Sequence, residues 1–187
     1  VRLVKDWKSP NIIYQQTPGN DGIWDDIHFT FDEVDEFDYI IVFNRVKYDL
    51  KFTCCPDNIW LTSGEPPNPA FRWQKKSYRY FKKIFSQHRG YFNSSFVKTH
   101  GALPWQIEKT YNELLQLNSN QHSKMDKLSF VTSNKNWMEG HRLRLQLIKY
   151  LGSVQYDYDL FGRGFNQIEN KFDGLYPYKY SIAIENS

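Results

Sequence analysis

The sequence predicts an α/β chain organised as two Rossmann-like units, one over residues 1–123 and the first part of a second over 124–187. Three observations predict it. Two short, near-continuous apolar runs, Asp-Tyr-Ile-Ile-Val-Phe at 38–43 and Asn-Ile-Trp-Leu-Thr at 58–62, have the look of parallel strands buried on both faces. The polar stretch Asn-Ser-Asn-Gln-His-Ser at 118–123 has no periodicity and reads as a linker. After it the pattern restarts as strand (127–132), helix (139–151), strand (158–161), connection and strand (180–184).

Along the first half, residues 11–14 form a short strand candidate, and the Pro-Gly and Asp-Gly pairs at 18–19 and 21–22 mark turns. Residues 29–37 crowd Asp32, Glu33, Asp35 and Glu36 together, a solvated face without the glycine and ligand order of a calcium loop; no metal is expected there. The strands at 38–43 and 58–62 follow. The loop Ser-Gly-Glu-Pro-Pro-Asn-Pro at 63–69 comes next, where Pro66, Pro67 and Pro69 fix the backbone and hold one carboxylate, Glu65, at a strand's carboxyl end. A surface carboxylate in a turn is the ordinary alternative. Residues 70–85 interleave aromatic and basic side chains, and Phe71, Tyr78, Phe81 and Phe85 share one face of a helix. A strand over 91–99, a turn at 100–105 and a helix over 106–117, with Pro104 just ahead of it, complete this half.

In the second half, a polar turn at 133–136 follows the first strand. The helix that comes after it buries Leu143, Leu147, Ile148 and Leu151. Gly162-Arg163-Gly164 follows the second strand and offers small residues for close backbone approach, with a charge between them. The last strand delivers Glu185, Asn186 and Ser187 at its carboxyl end, where open α/β sheets bind ligands.

Bulk properties narrow the classes. A net charge of +3 is too weak to argue for a nucleic-acid partner. No signal peptide or membrane-length apolar run is present. The two cysteines, Cys54 and Cys55, are neighbours; a bond between them would be strained, so two reduced thiols and a reducing compartment are expected. Aromatic side chains make up 18% of the chain, a composition that suits stacking on sugar or base rings as well as core packing.

Pro-Tyr-Lys-Tyr-Ser-Ile-Ala-Ile-Glu-Asn-Ser at 177–187 resembles the donor-site signature of glycosyltransferase family 10, the α-1,3/1,4-fucosyltransferases. Gln-Thr-Pro-Gly at 16–19, Gly-Glu-Pro-Pro at 64–67 and Thr-His-Gly-Ala-Leu-Pro-Trp at 99–105 are similar to segments of bacterial and viral members, in that order. So are Val-Thr-Ser-Asn-Lys at 131–135, Gly-His-Arg-Leu-Arg-Leu at 140–145 and Asp-Leu-Phe-Gly-Arg-Gly at 159–164. The resemblance implies a GT-B-like architecture, with an acceptor-side domain followed by a GDP-sugar domain. It implies inverting transfer of L-fucose from GDP-fucose to a hydroxyl of an acceptor oligosaccharide, with Glu65 as general base and no cofactor beyond the donor substrate. Arg144, with Arg142 as fallback, would grip the pyrophosphate, a role suited to a guanidinium near a helix N-terminus. Ser133, Asn134, Gly162, Arg163, Glu185 and Asn186 would border the donor. No metal is needed if cationic side chains neutralise the diphosphate. A cytoplasmic enzyme, at most peripheral to a membrane, is implied; eukaryotic members work in the Golgi behind an anchor. The family continues beyond the Glu-Asn-Ser motif with residues that hold the donor, whereas this chain starts at Val1 and stops at Ser187. A fragment with little or no transfer activity of its own is therefore expected. The alternatives are a transferase for another nucleotide-sugar, a non-catalytic carbohydrate-binding module, or RNA binding through the basic aromatic stretch at 70–85, which would be strongly salt-dependent.

Overall fold

The computed structural model describes residues 1–8, 13–65, 76–87, 94–99, 107–117 and 123–184. The chain is α/β and divides into two compact units, Val1–Pro104 with Thr110–Asn112, and Trp105–Lys109 with Glu113–Ser187. Of the sequence-derived linker at 118–123, residues 118–122 lie outside the described residues.

The first unit is built on a parallel five-stranded sheet: β1 (Arg2–Lys5), β4 (Ile40–Phe43), β5 (Ile59–Thr62), β6 (Lys83–Ser86) and β7 (Phe96–Lys98), in that order across the sheet. Between β1 and β4 the chain makes a small antiparallel hairpin of β2 (Ile23–Trp24) and β3 (Ile27–His28). Ile40, Val42, Leu61 and Ile84 are buried in the sheet with Val4 and Tyr78, and Phe37, Leu50, Phe52 and Phe96 pack around them. Each such side chain contributes about 1.5–3 kcal/mol on leaving water.

Two sequence expectations change here. The strand expected at 11–14 falls partly on residues 11–12, outside the described set; Tyr14–Gln16 is a 3-10 turn. The first strand is instead Arg2–Lys5, whose flanking charges hid it. Arg2 is buried, yet it keeps its guanidinium 5.7 Å from the centre of the Phe37 ring and donates to the Val34 carbonyl at 3.4 Å. The helix expected over 70–85 is not what the described residues form. Of its residues only 76–85 are described, with a 3-10 turn at 76–80 and then strand β6. The three-to-four spacing of Tyr78, Phe81 and Phe85 looked helical, but a turn feeding a strand buries Tyr78 and Ile84 equally well. β6 lies between β5 and β7, and its Ile84 and Ser86 are buried, which no isolated helix face would require.

The second unit holds a parallel three-stranded sheet of β8 (Met125–Val131), β9 (Tyr158–Phe161) and β10 (Tyr178–Ser181). β8 is central, with β9 on one side and β10 on the other. Helix α1 (Tyr111–Gln116) precedes the sheet and α2 (Glu139–Ser153) follows β8. Helix α2 forms where expected, and Leu147, Ile148 and Leu151 lie on its half-buried or buried side as expected, but Leu143 does not. His141 and Leu151 are buried, Arg144 and Ile148 are half-buried, and Leu143 is 49% exposed. The spacing His141, Arg144, Ile148, Leu151 is the inner stripe, so the polar His141 displaces Leu143 from it. The final strand runs over 178–181 rather than 180–184, because Tyr178 is buried and pairs with Met125 of β8. Among the described residues no helix is long and apolar enough to cross a membrane.

A side-chain network ties the three strands of this sheet together. Lys127 on β8 lies 2.9 Å from Asp159 on β9 and 3.0 Å from Asp157. The Tyr178 hydroxyl on β10 donates to the other Asp159 oxygen at 2.7 Å. Hydrogen bonds to Lys127 and Tyr178 hold the Asp159 carboxyl below its ordinary range. The same carboxylates push Lys127 up to about 12. Burial, reinforced by Asp159, takes Tyr178 up to about 12. The signs fix the pH window. Asp159 stabilises the fold above its unfolded pKa, and that contribution fades as pH falls through its lowered folded pKa. Lys127 and Tyr178 stabilise below their unfolded values near 10, and their contribution fades as pH rises towards 12. Tyr178→Phe is therefore expected to lower the melting temperature at pH 7 and to flatten the alkaline limb of its pH dependence. Thermal denaturation followed by circular dichroism from pH 5 to 11 checks this; an unchanged alkaline limb would contradict it.

Candidate functional site

Candidate residues gather at the carboxyl ends of both parallel sheets, and each unit is described by itself.

In the first unit, β1, β4, β5 and β6 end side by side, so the residues that follow them share one edge. Beyond β4, buried Asn44 takes a left-handed backbone conformation (φ 62°), which asparagine tolerates better than most residues. Its amide N–H donates to the Thr62 carbonyl, and its side-chain oxygen accepts the Gly64 N–H at 2.9 Å. This bond fixes the start of the loop after β5. The Ser63 N–H donates to the Phe85 carbonyl, and the Gln87 amide donates to the Glu65 carbonyl at 3.2 Å. Glu65 is thereby held half-buried. Prolines 66, 67 and 69, expected to stiffen this loop, lie outside the described residues. Beside Glu65, Arg45 after β4 pairs with Asp6 after β1 at 2.9 Å.

Burial raises the Glu65 carboxyl above its ordinary value, the Asp6 carboxylate raises it further, and Arg45 partly opposes both. A raised carboxyl is ionised at an energetic cost to the fold at neutral pH, and that cost vanishes as pH falls below its unfolded pKa. Glu65→Gln is thus expected to raise the melting temperature at pH 7.5, with the gain shrinking towards pH 4. Melting curves of the two proteins across that range test it, and a gain independent of pH would refute the assignment.

In the second unit the strand order reverses at β8: the chain steps to β9 on one side and returns to β10 on the other. Such a reversal opens a crevice outside the carboxyl ends of the central strand and its neighbour. The loop after β8 carries Thr132, Ser133 and Asn134, and Ile182 after β10 donates its N–H to the Ser129 carbonyl of β8. The glycine loop after β9 lies directly over the loop after β8. The Thr132 N–H donates to the Phe161 carbonyl and the Asn134 N–H to the Arg163 carbonyl at 3.0 Å. A Cβ at Gly162 would stand 1.8 Å from the Thr132 carbonyl oxygen, and one at Gly164 2.3 Å from the Asn134 side chain. Both glycines have positive φ, 115° and 86°. Ser133, Asn134, Gly162 and Arg163 are thus brought together, and the two glycines are required by that packing itself. Glu185 and Asn186 lie outside the described residues.

Arg144 sits on the half-buried stripe of α2, with its Nε withdrawn from solvent, and burial lowers its pKa from the ordinary arginine value. A guanidinium remains charged under such conditions. Arg142, the fallback, is exposed. Met138 caps the start of the helix, and its N–H donates to Nδ1 of buried His141 at 3.3 Å. Among the described residues no group of three or more His, Cys, Asp or Glu side chains could hold a metal ion.

Sequence reasoning missed Asp6, Asn44, Arg45 and Gln87. Asn44 and Arg45 carried the same signal as Glu65, polar residues directly after an apolar run, whereas Asp6 required recognition of β1. No family model, curated protein or solved structure matches the chain.

Proposed function

We propose that the second unit binds the diphosphate of a nucleotide-sugar at the β8–β10 reversal. On this reading the chain is part of an inverting GDP-fucose-dependent glycosyltransferase of GT-B type, similar to glycosyltransferase family 10. The observation that carries the reading is the strand order of the second sheet, which assembles Ser133, Asn134 and the Gly162–Gly164 loop at one carboxyl edge. Arg144, on the helix after β8, would hold the diphosphate through its two-pronged guanidinium. Glu65 suits the complementary role. Its raised pKa moves it towards the range where a general base works at neutral pH. In the proposed reaction an acceptor hydroxyl oxygen attacks the anomeric carbon from the face opposite GDP. The bond from that carbon to the β-phosphate oxygen breaks, Glu65 takes the hydroxyl proton, and GDP leaves with the electron pair. The acceptor is an oligosaccharide, and the free Cys54 and Cys55 thiols favour a cytoplasmic setting.

Calorimetric titration of GDP, UDP and ADP into the 187-residue chain tests the donor assignment. Saturable GDP binding that exceeds UDP and ADP binding supports it; equal binding of all three points to another nucleotide-sugar. No binding of any nucleotide would overturn the assignment for this chain.

A further inference from the structure

We propose that the β2–β3 hairpin of the first unit is a platform for a neutral pyranose ring, with Trp24 as its stacking surface and Asp25 and Asp26 as acceptors for sugar hydroxyls. The proposal deepens the reading of this unit as the acceptor side and rests on it.

All six residues from 23 to 28 are exposed, which is unusual for a hairpin with three large apolar side chains: Trp24 is 41% exposed, and Ile23 and Ile27 are each 43% exposed. The hairpin is nevertheless held firmly at its base. The Phe29 N–H donates to the Gly22 carbonyl at 2.8 Å, the Gly22 N–H to the Thr17 hydroxyl at 2.9 Å, and the Leu3 N–H to the Thr30 carbonyl at 2.7 Å. A two-stranded ribbon alone is marginal in water, so these bonds keep an exposed apolar surface in place. Cross-strand partners share a face, which puts Trp24 and Ile27 together and Ile23 opposite, beside His28. The Tyr111 ring meets Trp24 at 5.2 Å and 78°, an edge-to-face contact that fixes the indole while leaving much of it open.

The chemistry selects the occupant. An indole face attracts the C–H face of a pyranose, which is apolar and slightly positive, as it does other edge-on hydrogens. At the hairpin tip, Asp25 takes a left-handed conformation (φ 54°) and leads into Asp26, and both side chains are exposed. Neither carboxylate has an ion pair or hydrogen bond among the described residues. Two exposed carboxylates that directly follow Trp24 in the chain accept hydroxyl protons and repel phosphates and acidic sugars. The platform therefore suits a neutral sugar and excludes the nucleotide, which needs positive charge.

The test follows the indole N–H resonances of the six tryptophans in the intact chain, with Trp24 assigned as the one missing from Trp24→Phe. Methyl β-D-galactopyranoside, methyl β-D-glucopyranoside and methyl β-D-glucuronide are titrated in turn. The expected result is a saturable shift of the Trp24 resonance with at least one neutral glycoside and a weaker one with the glucuronide. Trp24→Ala should weaken that binding by about five- to tenfold, judged from glycoside line-broadening, with Trp24→Phe in between. Asp25→Asn with Asp26→Asn should remove the preference for the neutral sugars. No shift of Trp24 with any glycoside, or equal affinity for the glucuronide, would overturn the proposal. So would self-association by sedimentation that Trp24→Ala abolishes without any glycoside response, since the patch would then be a protein contact. GDP titration of the same samples keeps the two readings apart, because Trp24 variants should leave GDP affinity unchanged.

Discussion

Arg144→Ala is expected to weaken GDP binding by about ten- to a hundredfold, the loss that follows from removing charge-assisted hydrogen bonds of about 1.5–3 kcal/mol. The reason lies in the placement of the residue. A guanidinium half-buried on the inner stripe of α2 has given up hydration, and its lowered pKa records that loss. A diphosphate at the β8–β10 crevice would meet that guanidinium with charge-assisted, two-pronged hydrogen bonds. The melting temperature without ligand should move little, because a partly desolvated charge contributes little net stability to the fold. Arg144→Lys should fall between wild type and alanine, since a point charge replaces a planar fork. Calorimetric titration of GDP with the three proteins measures the series. Equal affinities in all three would remove Arg144 from the donor site, and Arg142 on the exposed side of the same helix would be tested next.

The second large effect is structural. Gly162→Ala is expected to destabilise the second unit by about 2–4 kcal/mol, because it joins backbone strain to a steric collision. Its φ of 115° is outside the range that side chains accept readily, and the added Cβ would meet the Thr132 carbonyl oxygen at 1.8 Å. The loops after β8 and β9 would have to part, breaking the Thr132 to Phe161 and Asn134 to Arg163 bonds between them. A fall of about 5–15 °C in the melting transition follows for a chain of this size. Gly152, inside α2, is the control: a Cβ there meets nothing within 4 Å, so Gly152→Ala should be neutral or stabilising by about 0.5–1 kcal/mol. Parallel melts of the two variants decide the matter. Equal effects would mean that neither strain nor the collision is real.

What the sequence revealed depended on how each element announces itself. The strands β4, β5, β8 and β9 were legible because each is a compact apolar run between turn residues. Strand β1 was hidden because its ends are Arg2 and Lys5, and only the sheet explains how a buried arginine is accommodated over Phe37. Strand β6 was hidden because Tyr78, Phe81 and Phe85 satisfy a helical spacing while serving a turn and a strand. Leu143 was misplaced because hydropathy ranks it above His141, whereas His141 closes the helix start and is drawn inward. Of the site, the glycine loop and the Ser133–Asn134 turn were readable as local chemistry. Their mutual packing was not, since it joins segments about thirty residues apart through strand pairing that no local pattern encodes.

The two strand orders also imply different histories during synthesis. In the first unit each new strand of the large sheet joins the one made just before it, so the sheet can grow at one edge as the chain emerges. The second unit cannot grow that way. Its central strand must wait for a partner 51 residues downstream, the span from Ser129 to Tyr180. At about 5–20 residues per second, that leaves one edge of β8 uncovered for several seconds on the ribosome. Phe130, fully buried once the sheet is complete, is the apolar side chain of that strand most in need of shielding meanwhile. The nascent chain is therefore most vulnerable to aggregation while 132–177 are being made, and dependence on a chaperone should be concentrated in that interval.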